Sequence, residues 1–131
     1  MTFDVCHMMM TQQQYLLDTI GNEKTQDSSY KSKNKYFEYE SIFNNYGSII
    51  KNIHLNNIRL RGTTKDTHSQ GFKNTEHDKE ILKDIFTNYI RTDCEAYITL
   101  EINEKDYILR DNMRETIAVI NEVLKELKYN L

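Results

Sequence analysis

At 131 residues the chain reads as one domain, 1–131, long enough to bury a real core. Hydrophobic residues make up 38% and charged ones 28%, and a mean hydropathy of −0.73 implies substantial loop content. A net charge of −3 and a pI near 5.8 argue against a dedicated nucleic-acid binder; two cysteines are too few for a disulfide framework, and no run approaches a membrane span.

Proline and tryptophan are absent, only four glycines occur, and Asn, Lys, Ile and Tyr are abundant. Those types have A/T-rich codons, which points to an A+T-rich genome such as that of a low-GC bacterium, one of its phages, or certain viruses. Cys6 and Cys94 read as free thiols in a cytoplasmic, soluble protein. His7-Met8-Met9-Met10 is too short for a signal-peptide core and lacks a basic leader.

The first expected element is a short helix over 11–20, with Thr11 as cap, Tyr15, Leu16, Leu17 and Ile20 on one face, and Gly21 as stop. Residues 22–35 are polar and read as a disordered loop or linker. Residues 36–46 favour a helix, by the spacing of Tyr36, Tyr39, Phe43 and Tyr46, although Phe37 and Tyr39 would also suit a strand. Gly47 would end it.

In residues 49–61, Ile53 and Leu55 are odd-numbered whereas Ile58 and Leu60 are even-numbered. A tight Asn56-Asn57 turn reconciles them as a β-hairpin, with His54, Arg59 and Arg61 on its outer face. A bulge in one strand is the alternative. Residues 62–74 form a polar loop. Thr75 with Asp78 opens a middle helix whose stripe is Ile81, Leu82, Ile85, Phe86, Tyr89 and Ile90; Asp93 closes it.

The final third reads as a strand, a turn and a helix. Ala96, Ile98, Leu100 and Ile102 alternate with Glu95, Tyr97, Thr99 and Glu101. After the polar turn at 103–106, Tyr107 to Arg110 is expected to return as a second strand. Asn112 with Glu115 resembles a capping box for a helix carrying Met113, Ile117, Ile120, Leu124 and Leu127. Val119 and Val123 widen that stripe towards burial inside the domain. A homodimer seam along it is the alternative reading, but two heptads fall short of a coiled coil. The expected class is therefore α+β: an antiparallel sheet from two hairpins, helices on one face, and the other face wet.

Charge divides along the chain. From Tyr30 to Lys73 eight basic residues face three acids, a net +5; from Glu76 onwards thirteen acids face eight bases, a net −5. Tyr30, Tyr36, Tyr39, Tyr46 and Phe72 interleave with the basic residues, so segment 30–73 is a candidate nucleic-acid surface with His54, Arg59 and Arg61 as its contacts. The favoured alternative is an acidic, exposed sheet face that binds a basic protein, with Tyr97 as aromatic anchor and Glu101, Glu104 and Asp106 as charges.

Chemistry finds less support. No His or Cys pair has the close spacing that places two ligands on one metal, and Gly62 and Gly71 make no phosphate loop. Glu101, Glu104, Asp106 and Asp111 cluster in sequence, but a solvated acidic turn explains them. The sequence therefore suggests a non-enzymatic binding module of the inhibitor or accessory type, without metal or cofactor.

Overall fold

A computed structural model of the chain describes residues 1–20, 38–58 and 69–130, with side chains at 1–12, 38–58 and 69–128. In chain order the elements are β1 (Thr2–Asp4), α1 (Val5–Ile20), α2 (Tyr39–Tyr46), β2 (Asn52–Leu55), α3 (Glu76–Arg91), β3 (Tyr97–Leu100) and α4 (Asp111–Asn130). The strands form one sheet in the order β1-β2-β3. Phe3 pairs with Ile53 and Ile53 with Ile98, and both ladders are parallel.

The expected antiparallel sheet is thus corrected to a parallel one, and the class is mixed α/β. The reason lies in β2. It is the central strand, with β1 on one edge and β3 on the other, so neither edge is left for a hairpin partner. Residues 59–61, the expected return strand, lie outside the described residues. The expected Asn56-Asn57 turn is instead buried, and the Asn57 backbone exchanges hydrogen bonds with Gln70.

The second hairpin fails for a local reason. Asp106 Oδ1 accepts from the Ile108 and Leu109 N–H groups at 2.8 and 3.1 Å, which closes a turn where a strand was expected. Arg110 then adopts a left-handed φ of 53° and α4 begins. Glu104, not an Asn112–Glu115 box, caps that helix: its carboxylate accepts from the Asn112 and Met113 N–H groups at 3.1 and 2.6 Å. Glu115 instead pairs with Lys73 Nζ at 2.7 Å.

Other helical expectations hold or shift. α3 starts where expected, with Thr75 Oγ1 accepting from the Asp78 N–H at 3.2 Å. α2 occupies the ambiguous segment and ends at Gly47, where a Cβ would meet the Phe43 carbonyl oxygen at 2.5 Å. α1 begins at Val5, so Thr11 is an interior residue whose hydroxyl donates to the His7 carbonyl. The polar segment 22–35 lies outside the described residues.

With crossovers of the usual right hand, the order β1-β2-β3 puts the connecting helices on one face. The core agrees. Phe3, Ile53 and Leu55 cluster with Tyr39, Ile42 and Phe43 of α2, Leu82, Ile85 and Phe86 of α3, and Val119 and Val123 of α4. Phe3 meets Tyr39 and Phe43 edge-on, at centroid distances of 6.5 and 6.1 Å. On α4 the buried face runs through Thr116, Val119 and Val123, which leaves Ile117 exposed. Ion pairs Lys79–Glu122 and Lys83–Glu126 flank the α3–α4 seam. Among the described residues, no helix is long and apolar enough to cross a membrane.

Candidate functional site

Strand alternation gives the sheet a second, polar face. The register puts Thr2, Asn52 and Tyr97 in one row and Asp4, His54 and Thr99 in the next, with Glu101 continuing the same side of β3. Tyr97 is 82% exposed, and Thr2 and Thr99 are exposed as well. Towards the carboxyl ends of the strands this face deepens. The Asp4 and His54 side chains retain 18% and 33% of their exposure.

At that rim three strands deliver three chemically active side chains to one point. His54 Nδ1 lies 3.5 Å from Asp4 Oδ2 and 3.4 Å from Glu101 Oε2. The three ligand-type atoms all lie within 4.8 Å of one another. Ligand sites of parallel α/β sheets sit outside the carboxyl ends of the strands, because the loops there converge.

Each group is held from behind. Asp4 is the last residue of β1 and caps α1, its Oδ1 accepting from the His7 N–H at 2.9 Å. Its Oδ2 meets His7 Nδ1 at 3.0 Å. Burial pushes the Asp4 carboxyl up, but the His7 backbone N–H, the His7 imidazole and the nearby His54 together hold it below its usual value. Asn56, fully buried, accepts from the Cys6 N–H at 2.9 Å and directs its amide nitrogen at Glu101 Oε2, 3.5 Å away. One side chain thus ties the first turn of α1 to the rim of β3.

Cys6 is beside the cluster but is a poor nucleophile. Burial pushes its thiol up; a hydrogen bond from the Ser69 backbone lowers it, and the charges of Asp4 and Glu101 raise it again, for a net increase. Cys94 is also a free, buried thiol, directed at the Gly47 carbonyl.

The residues singled out from sequence fall into distinct places. Tyr97 and Glu101 lie on the open face and its rim. Glu104 and Asp106 spend their carboxylates on backbone N–H groups of the loop and α4. His54 belongs to the same rim as Glu101, between two carboxylates, a setting that disfavours a phosphate contact. Arg59, Arg61, Tyr30 and Tyr36 lie outside the described residues, while Tyr39 and Phe72 are core residues rather than stacking platforms. Asp4 was missed altogether. Its signal was the alternation of Thr2-Phe3-Asp4-Val5, only three residues of which form a strand.

Comparison with protein-family models, curated proteins and solved structures gives no match.

Proposed function

We propose that this chain is a small binding module of the inhibitor or accessory type that takes a basic protein partner on the open face of its sheet. The observation that carries this reading is Tyr97, a large ring 82% exposed on the edge strand of a polar sheet face. Tyrosine offers a wide amphipathic contact at low entropic cost and is enriched among interface hot spots.

Charge supports the choice of partner. Asp4 and Glu101 sit at one end of the face, and its described strand positions carry no lysine or arginine. Such a field steers a basic surface towards it. Tyr107, Ile108 and Leu109, all exposed in the loop beyond Glu101, add apolar area of the kind that marks interaction sites. In this reading the protein works in the cytoplasm, where two unpaired cysteines stay reduced. An abundance of Asn, Lys, Ile and Tyr, residues with A/T-rich codons, suits a phage or mobile element.

The test is a comparative capture from a low-GC bacterial lysate, treated with nuclease, using wild type, Tyr97→Ala and Glu101→Lys. A protein retained at stoichiometric levels by wild type and lost by both variants supports the reading. Equal retention by all three removes the open face from the account.

A further inference from the structure

We propose that Asp4, His54 and Glu101 form a binding site for a divalent transition-metal ion of the zinc class, with its fourth position open to solvent. The site shares Asp4 and Glu101 with the partner-binding face, but its test reads metal binding alone, so its failure is distinguishable from the failure of that reading.

Geometry carries the argument. An ion bonded to nitrogen and oxygen ligands at about 2.1 Å in a tetrahedron separates those ligands by about 3.4 Å. The two edges that meet at His54 Nδ1 measure 3.5 and 3.4 Å. A hydrogen-bonded imidazole would instead sit near about 2.9 Å from one carboxylate oxygen. His54 is centred between two oxygens, the position a shared cation would give it.

The donor set also fits. One imidazole and two carboxylates suit a borderline ion such as Zn²⁺ or Co²⁺, and the carboxylates also accept the harder Mn²⁺. The supports are those that metal sites use to fix their ligands: the His7 N–H and imidazole hold Asp4, and the buried Asn56 amide approaches Glu101. The first turn of α1 opposes a cation with about half a positive charge, which the two carboxylates outweigh. The buried Cys6 thiol is not part of the set.

The ligands come from positions 4, 54 and 101, one from each strand end, so no short motif announces them.

The test is calorimetric titration of the full chain, thiols reduced, with ZnCl₂ alone, for wild type, Asp4→Asn, Glu101→Gln and His77→Ala. Asn at position 4 keeps the capping acceptor, Glu101 is exposed, and His77 is an exposed residue in the first turn of α3 that is not part of the cluster. Binding of one ion per chain is expected, weakened at least about tenfold by Asp4→Asn and by Glu101→Gln and unchanged by His77→Ala. A parallel Co²⁺ titration should give the intense visible absorption of a tetrahedral site without a sulfur charge-transfer band. This readout needs no variant to fold. Absence of saturable binding, equal affinity in all four proteins, or a cobalt–sulfur band would overturn the proposal.

Discussion

Asn56→Ala is the sharpest single perturbation of the structure. Asn56 and Cys6 are both fully buried, and the Asn56 side-chain Oδ1 is the acceptor for the Cys6 N–H at 2.9 Å. That N–H belongs to the first turn of α1, where no intrahelical acceptor exists. Alanine keeps the Cβ, so little apolar burial is lost, but it strands a buried donor, which costs about 1–3 kcal/mol. The amide's contact with Glu101, at 3.5 Å, adds little to this. With an unfolding entropy of about 2.1 cal/mol/K per residue, a chain of 131 residues loses roughly 4–11 °C in Tm. Urea unfolding followed by circular dichroism measures the loss directly, with an unchanged m-value as evidence that the two end states are intact. Hydrogen exchange at the Cys6 amide should accelerate in parallel. A loss under about 0.5 kcal/mol, the range of an ordinary surface change, would refute the claim that Asn56 anchors the start of α1.

Three further outcomes are expected. Thr116→Val is nearly isosteric yet removes the hydroxyl that accepts from the Phe72 N–H at 3.0 Å; equilibrium unfolding should register a loss of about 1–3 kcal/mol. Glu104→Ala uncaps α4 at the Asn112 and Met113 N–H groups and should cost about 1 kcal/mol, with faster amide exchange confined to the first turn of that helix. Glu115 is held below its usual titration range chiefly by its hydrogen bond from Lys73, against desolvation and with further help from the Asn74 N–H and the Lys73 charge. Its contribution is therefore present above the unfolded carboxylate range and lost as pH falls through the lowered folded value. Wild type should exceed Glu115→Gln by no more than about 0.5 kcal/mol at neutral pH, because the pair is solvent-screened. The gap should close in acid; a gap that persists there would contradict the pairing.

The helices were legible because their signals are local. The Thr75–Asp78 cap and the stripe from Ile81 to Tyr89 need no knowledge of the rest of the chain, and α3 follows them. The alternation from Glu95 to Ile102 was readable in part: Ala96 and Ile102 are buried and Tyr97 and Thr99 exposed as its parity requires, but Ile98, expected on the buried face, is 37% exposed on the edge strand. Strand partners were not legible. Alternation says which face a residue takes but not which strand lies beside it, and a hairpin was the nearest local choice. β1 was lost because three residues carry too little pattern. With β1 went Asp4, and with Asp4 the cluster. His54 and Glu101 had each been singled out, but for opposite partners, one for phosphate and one for a basic protein. Parallel pairing of β2 and β3 is what brings them within 3.4 Å of each other.

The most direct measurement is paramagnetic broadening of the ¹⁵N-labelled chain by substoichiometric Mn²⁺. The account predicts selective loss of amide signals in three separate stretches, around Asp4 to His7, His54 to Asn56, and Leu100 to Ile102, because those stretches meet at one ion. Broadening confined to a single stretch such as the acidic turn at 104–106, or no selective broadening at all, would contradict it.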